Sequence, residues 1–334
     1  MESHSCLITG ATGAIGPTLV RHLLNQGWQV RVLSRQPPPL EIFPAGVQTI
    51  QGDLLDEGAL CRAVSGVKRI FHLASLLHIG DPPANLLPAY FRVNVEGTRA
   101  VIQQALKSGV ERVVFFSTIS VYGGSAGQIL TEESPAISQT FYAQTKREAE
   151  EVVLRAKRPD GGPIGSVLRL AAVYGPRVKG YYRRLLDALV KGRFVPIGPG
   201  DNRRTVVYDK DVASAAFLVS SHRDAGGRIF NVSDGTFHTV AEIIETICES
   251  LERRTPHFSL PRSVVRWAVG CMEDGFQLLG RQSPVRRSMI EKYTEDVAVD
   301  SSRIREQLGF EAKYDLRTGW RETIAALRQT GKWP

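Results

Sequence analysis

Apolar residues gather in short continuous runs over the first half of the chain, at residues 6–9, 30–33, 47–50, 69–73, 113–116 and 167–170, with amphipathic stretches between several of them. A half-exposed sheet would alternate apolar and polar positions. Runs that stay apolar predict strands buried on both faces, as in a parallel sheet covered by helices, so the fold class is α/β with a doubly wound parallel sheet. Beyond residue 175 the punctuation changes. Gly175-Pro176 and the Pro- and Gly-containing stretches 196–200 and 256–261 separate helical segments near 180–192, 239–252, 263–280 and 317–329, which predicts a smaller, mainly helical C-terminal lobe. The expected division is a sheet domain over 1–175, with 205–235 returning to it, and a lobe made of 176–204 and 236–334.

Composition narrows this little: 334 residues, 43% hydrophobic and 23% charged, exclude disordered and fibrous classes and supply ample core. Cys6, Cys61, Cys248 and Cys271 are scattered without a CxxC pair or a histidine at ligand spacing, so neither a disulfide framework nor a metal site is expected. The first residues lack a basic segment followed by an apolar one, and a cytoplasmic protein is expected. Residues 264–279 are the most apolar later stretch, but Arg266, Glu273 and Asp274 interrupt it, and it is too short to span a bilayer. The net charge of +8 points to an anionic partner: nucleic acid, a membrane surface or a phosphorylated small molecule. Between residues 177 and 204 there are eight basic side chains against two acidic ones. Without stacking aromatics interleaved over a nucleic-acid-sized surface, that concentration favours a diphosphate-bearing small molecule and no nucleic acid.

The first strand runs into Thr9-Gly10-Ala11-Thr12-Gly13-Ala14-Ile15-Gly16 and then a helical stretch led by Pro17. Glycines between a strand and a helix let the backbone approach a pyrophosphate, whose charge meets the N–H groups at the helix start, so the sheet domain is expected to bind a dinucleotide. At the end of the second strand an acidic residue would select NAD; Ser34 and Arg35 stand there instead. They lean toward the 2′-phosphate of NADP, the alternative being that Arg35 stacks on adenine or points to solvent. Asp53, after the third strand, either accepts the adenine amino group or caps the next helix. Tyr142 and Lys146 lie four apart on a predicted helix, hence on one face, where an ammonium can lower the pKa of a phenol for acid/base work. The strand at 113–116 ends in two hydroxyls, Ser117 and Thr118, at the edge where parallel sheets present their active sites.

These elements resemble the extended short-chain dehydrogenase/reductases, the NAD-dependent epimerase/dehydratase superfamily. The matching motifs are T-G-A-T-G-A-I-G, G-D-L-L-D, F-H-L-A-S, N-V-E-G-T at 94–98, S-T-I-S-V-Y-G at 117–123, Y-A-Q-T-K, R-L-A-A-V-Y-G-P and G-D-N-R-R-T-V-V-Y-D-K-D-V-A. They stand in family order, and with the late L-G-F and the final helix they cover nearly the whole chain. The resemblance implies a Rossmann sheet whose cofactor contacts come from Gly10, Thr12, Gly13, Ala14, Ile15, Gly16, Ser34, Arg35, Asp53, Leu54, Leu73, Ala74, Ser75, Asn94, Ser117, Tyr142 and Lys146. It makes Tyr142 the acid/base, Lys146 the group that lowers its pKa and holds the nicotinamide ribose, and Thr118 the hydroxyl that orients the reacting bond, with Ser117 able to take its place. Asn94 is implied to support the helix around Lys146, with or without an intervening water. Arg204 corresponds to the arginine that grips a diphosphate, with Arg177 assisting; His78 is a further candidate for substrate. Family members are often dimers.

Two departures narrow the implied reaction. Ala172 replaces the asparagine of galactose-pathway 4-epimerases, and Ile119-Ser120 replace the Asp-Glu that follows the catalytic threonine of 4,6-dehydratases. The resemblance then implies an NAD(P)-dependent epimerase acting on a nucleotide- or lipid-diphosphate sugar through a transient keto intermediate. The alternative is an NADP-dependent reductase or dehydrogenase of a hydrophobic ketone or alcohol, of 3β-hydroxysteroid dehydrogenase or dihydroflavonol reductase type. In the first case residues 264–279 pack the lobe or touch a lipid carrier; in the second they form an apolar wall.

Overall fold

Seven strands, β1 (Ser5–Thr9), β2 (Gln29–Ser34), β3 (Gln48–Gln51), β4 (Arg69–His72), β5 (Arg112–Thr118), β6 (Gly165–Leu170) and β9 (Ile229–Val232), pair in the order β3-β2-β1-β4-β5-β6-β9, every pair parallel. This is the doubly wound Rossmann arrangement that the continuous apolar runs predict. The computed structural model describes residues 4–39, 41–77, 84–177, 179–279, 281, 283 and 285–330. Successive strand residues serve opposite layers. Ile8, Val114 and Phe116 pack with Leu19, Val20 and Leu23 of α1 (Gly16–Asn25) and Val212, Ala216 and Val219 of α7 (Asp209–Ser221). Leu7, Val113 and Phe115 pack with α2 (Glu57–Val64), α4 (Gly97–Lys107) and α5 (Phe141–Arg155) through Leu60, Val101, Ala149 and Val153. Upstream of α4, the short α3 (Leu87–Phe91) passes through a π-helical turn, Arg92–Glu96, straight into α4.

A second sheet of three strands, β7 (Ala172–Tyr174), β8 (Arg203–Tyr208) and β10 (Phe237–Thr239), runs in the order β10-β8-β7. With α6 (Gly180–Val190), α8 (Val240–Ser250) and α12 (Leu316–Gln329) it encloses its own core around Leu186, Ile244, Ile247, Trp320 and Ile324. The remaining helices are α9 (Arg262–Leu278), α10 (Arg287–Thr294) and α11 (Ser302–Leu308). Side-chain caps set several helix starts: Thr140 accepts from the Ala143 amide, Thr239 and Glu242 cap each other's ends, and Asp315 accepts from the Thr318 amide.

The expected domain division is corrected at three places, the first being Ala172–Tyr174, expected within the sheet domain but paired with β8 in the smaller sheet. Arg203–Tyr208 pairs inside the smaller sheet, so the return to the main sheet begins with α7 rather than at 205. Conversely, α11 does not stay in the lobe, because Ile304 and Leu308 fill the main core beneath β9. Among the described residues no helix is long and apolar enough to cross a membrane.

Candidate active site

Gly10 adopts φ 71°, and a Cβ there would lie 2.5 Å from the Ala74 amide nitrogen. A Cβ on Gly16 would fall 2.0 Å from the Ala11 carbonyl oxygen. Glycine is therefore required both where the loop leaves β1 and where it enters α1. Between them the Gly13 amide donates to the Gly10 carbonyl at 3.0 Å, Thr12 is exposed, and Ala14 and Ile15 are half-buried. No side chain caps α1, and Pro17 occupies its first turn. A tight glycine cradle below uncapped amides fits the pyrophosphate of a dinucleotide.

Beneath this loop runs a buried chain of hydrogen bonds. Thr98 Oγ1 donates to the Asn94 carbonyl at 2.6 Å and lies 3.0 Å from His72 Nε2. That hydroxyl has one proton, so Nε2 is the donor to Thr98, and Nδ1 accepts from Thr9 Oγ1 at 2.6 Å. The Ala74 amide in turn donates to Thr9 Oγ1 at 3.3 Å. Burial, and secondarily the charge of Lys146, lower the His72 pKa to about 3, so the ring is neutral. Asn94 extends the chain: its Oδ1 accepts from Ser75 Oγ and from the Leu76 amide, and its Nδ2 donates to Thr145 Oγ1 at 3.0 Å and to the Leu76 carbonyl. Every polar atom of that amide is engaged with protein, and its bond to Thr145 braces α5 directly. The π-helical turn carries Asn94 to this position, as such turns often do at functional sites.

Tyr142 and Lys146 share the inner face of α5. The phenol is half-buried; burial pushes its pKa up to about 12, the Ser75 hydroxyl works against that, and Tyr90 adds to it. Lys146 is 1% exposed, its Nζ lies 3.9 Å from the Phe115 ring centroid, and burial lowers its pKa to about 7 against the opposing charge of Glu150. Lys146 was expected to pull the phenol down. In this structure the ammonium rests on Phe115, so burial governs each group. Thr118 is half-buried at the end of β5, where its Oγ1 accepts from the Ser120 amide at 3.1 Å and caps the short turn that follows. Ser117 does not stand in for it. Strand alternation turns Ser117 under α5, where it is 4% exposed and donates to Glu150, itself joined to buried Arg169 at 2.6 Å.

At the other end of the cleft, Ser34 Oγ donates to the Gln36 carbonyl at 2.7 Å and Arg35 is exposed. Asp53 accepts from the Leu55 amide, while Asp56 caps α2, which leaves Asp53 a free carboxylate oxygen at the surface. Leu54 packs under Gly97, and Leu73 continues β4 by donating its amide to Thr9.

On the lobe side, Arg204 Nη2 donates to the carbonyls of Lys292 and Tyr293. Burial raises the pKa values of Tyr181, Tyr182 and Tyr293, and the charge of Arg204 opposes it at all three, placing the guanidinium among their phenols. Arg203 pairs with Asp296 at 2.6 Å. The same segment meets the loop after Thr118: a Cβ on Gly124 would lie 2.4 Å from Glu295 Oε1, and Ser125 Oγ donates to the Asp296 carbonyl at 2.7 Å. The basic cluster is thus partly consumed, since Arg203 holds Asp296 and Arg183 pairs with Asp187 along α6. Arg177 is exposed, and His78 lies outside the described residues. Sequence reasoning gave no role to His72, Thr98 or Glu150. His72 and Thr98 sit inside motifs already singled out, whereas nothing local marks Glu150 as the partner of Arg169.

A family model described as the NAD dependent epimerase/dehydratase family matches residues 6–233. The N-acetyl-alpha-D-glucosaminyl-diphospho-ditrans,octacis-undecaprenol 4-epimerase of Escherichia coli O157:H7 is 25% identical over 95% of this chain and 93% of that protein. The 3β-hydroxysteroid dehydrogenase/Δ5→4-isomerase of Mycobacterium tuberculosis is 26% identical over 95% of this chain and 89% of its own. Among solved structures, MoeE5 in complex with UDP-glucose and NAD superposes with a TM-score of 0.76 at 28% identity, covering 98% of this chain and 100% of that one.

Proposed function

This chain belongs to the NAD dependent epimerase/dehydratase family, and within it we propose that the protein is an epimerase that inverts one carbon of a sugar carried on a diphosphate. The observation that carries this reading is the closure of segment 292–297, held by Arg203 and Arg204, onto the loop that follows Thr118. It ties the segment to which the Arg204 guanidinium donates to the loop that follows Thr118, the proposed reacting hydroxyl. The remaining face of Arg204, with Arg177, would take the diphosphate. The glycine cradle and the uncapped start of α1 would hold the dinucleotide, which supplies a reversible two-electron sink at its nicotinamide. Lys146 would hold the adjoining ribose.

With the phenol drawn to its phenolate by the positive charge that a bound oxidised nicotinamide would add beside Lys146, Tyr142 would take the proton of the substrate hydroxyl and Thr118 would fix that oxygen, so that oxidation leaves a ketone in the site. Rotation of the ketone would let the hydrogen and electron pair taken up by the dinucleotide return to its opposite face while Tyr142 returns the proton to the oxygen, which gives the epimer. The absence of an acid/base pair after Thr118 supports this over elimination of water. Exposed Arg35 supports acceptance of a 2′-phosphate, and hence NADP beside NAD.

Purified protein should interconvert a 4-epimer pair of a nucleotide- or undecaprenyl-diphosphate N-acetylhexosamine without added cofactor, and should release oxidised NAD or NADP on denaturation, distinguished by mass. Tyr142→Phe should lower kcat by about 10²–10⁴-fold with the dinucleotide still bound. The second reading, a net dehydrogenase of a hydrophobic alcohol, is favoured by the commitment of Arg204 Nη2 to backbone carbonyls and by the M. tuberculosis relative. Stoichiometric reduction of NADP+ with a hydrophobic alcohol, or oxidation of NADPH with its ketone, with activity retained in Arg204→Ala, would replace the first reading with the second.

A further inference from the structure

For a proton to pass at the substrate oxygen, Tyr142 and Thr118 must both reach that atom, each within about 2.6–3.2 Å. They stand on different elements, α5 and β5, and one buried carboxylate ties those elements together beneath them. Glu150 lies two turns beyond Tyr142 and one turn beyond Lys146 on the inner face of α5. Its Oε1 accepts from Ser117 Oγ, on the residue before Thr118, and from Arg169 Nε at 3.1 Å; its Oε2 accepts from Arg169 Nη2 at 2.6 Å. The Arg169 guanidinium in turn lies 4.7 Å from the Tyr122 ring centroid. Tyr122 closes the short turn Ile119–Tyr122 that Thr118 caps, and its hydroxyl donates to Asn231 Oδ1 on β9 at 2.8 Å. Thr118 is thus held from both sides, at Ser117 and at Tyr122, by the same ion pair.

Stability alone does not account for this arrangement, because a buried ion pair adds little over an apolar pair of similar volume. Direction does. An ionised carboxylate only accepts, so Ser117 and Arg169 each aim a proton at a fixed oxygen. Glu150, Ser117 and Arg169 are 2%, 4% and 5% exposed, so water does not compete for those bonds. Phe115, two residues before Ser117 on the same face of β5, meets the Lys146 ammonium 3.9 Å from its ring centroid. Lys146 and Glu150 therefore both bear on the strand that ends in Thr118.

We propose that Glu150 is a positioning residue, which sets Tyr142 on α5 opposite Thr118 on β5, acting through Ser117 on one side and through Arg169 and Tyr122 on the other. The proposal rests on the reading that Tyr142 and Thr118 carry the proton-transfer step, which the epimerase and the dehydrogenase share. It gives Ser117 an indirect part in that step, in place of contact with substrate or cofactor.

Ser117→Ala cuts the tie to β5 and leaves the Glu150–Arg169 pair intact, so the variant should melt close to wild type. With UDP-N-acetylglucosamine, or with a 3β-hydroxysteroid and NAD+, whichever wild type turns over, its kcat should fall at least about tenfold, with KM and the dinucleotide Kd unchanged. Ser117→Thr, which keeps the donor, should recover most of that loss. Glu150→Leu/Arg169→Met, an apolar pair, should lower kcat to the same degree, and adding Ser117→Ala to it should lower kcat no further. Hydrogen exchange at the Ser120 amide, which donates to Thr118 Oγ1, reads the clamp without any substrate. It should speed up at least about tenfold in Ser117→Ala. Full kcat in Ser117→Ala, losses that add across the two sets of substitutions, or unchanged exchange at Ser120 would overturn the proposal. Activity surviving in Tyr142→Phe would instead overturn the reading on which it rests.

Discussion

His72 is wholly buried, with both ring nitrogens engaged by threonines whose own protons are already directed. Adding a proton would put an unsolvated charge near Lys146 and break the bond that Thr9 donates. Its pKa in the folded chain is about 3, below the unfolded value of 6.5, so as pH falls through that window the unfolded chain takes up a proton that the folded one does not. This residue's stabilising contribution is complete above about pH 6.5 and is lost toward pH 3, at about 1.4 kcal/mol per pH unit. Asp209 acts in the opposite sense: burial raises its pKa from 3.8 to about 6, so it destabilises as pH rises through that range. Urea unfolding of wild type and His72→Gln between pH 7 and 4 separates the two effects, and the wild type should lose stability more steeply; parallel curves would contradict this assignment. The sequence marks the glycine loop through local residue types, but the role of His72 depends on partners 63 and 26 positions away, which no local pattern reveals.

At the scale of elements, α5 is the piece on which the chemistry hangs. Its inner face presents Tyr142, Thr145 and Glu150, bonded in turn to the loop after β4, to the π-helical turn and to β6, with Lys146 resting on Phe115 of β5. Glu150 accepts two bonds from Arg169 Nε and one from its Nη2, all under the sheet. Glu150→Gln leaves the Arg169 charge buried without its counter-ion and should cost about 3–5 kcal/mol, read as a lower midpoint in denaturant. Adding Arg169→Met should recover part of that loss; a midpoint unchanged by Glu150→Gln would remove the pair from the account. The same element shows where pattern reading stops. Two adjacent hydroxyls at a strand end look equivalent in sequence, yet alternation sends Ser117 down to Glu150 and leaves Thr118 at the edge. The strands of the main sheet are legible because both their faces are apolar. Helices α10 and α11 are not, because eight and seven residues are too few to display a period among so many charges.

For the whole molecule, the deciding property is how often the chain passes between its two parts. After β6 it builds β7, α6 and β8 in the lobe, returns as α7 and β9, leaves as β10 through α10, returns once more as α11, and ends in the lobe as α12. Thr18 of α1 donates to Asp209 at 2.6 Å, just where β8 hands over to α7. Unfolding should therefore be a single transition in calorimetry. Dinucleotide at 100 times its Kd should raise the whole transition by about 2.7 kcal/mol; two transitions, only one of them shifted, would mean that the parts fold separately. Net charge is legible as a total but not in its use. The basic cluster at 177–204 dissolves partly into pairs with Asp187 and Asp296.

The late arrival of β9 also matters while the protein is being made. Until residues 229–232 leave the ribosome, β6 has no neighbour on its outer side, and a bare, fully buried-type strand edge is a ready template for pairing with another chain. Synthesis stalled between residues 170 and 229 would expose that edge for the whole pause, so the codons and chaperones that govern this stretch bear on yield.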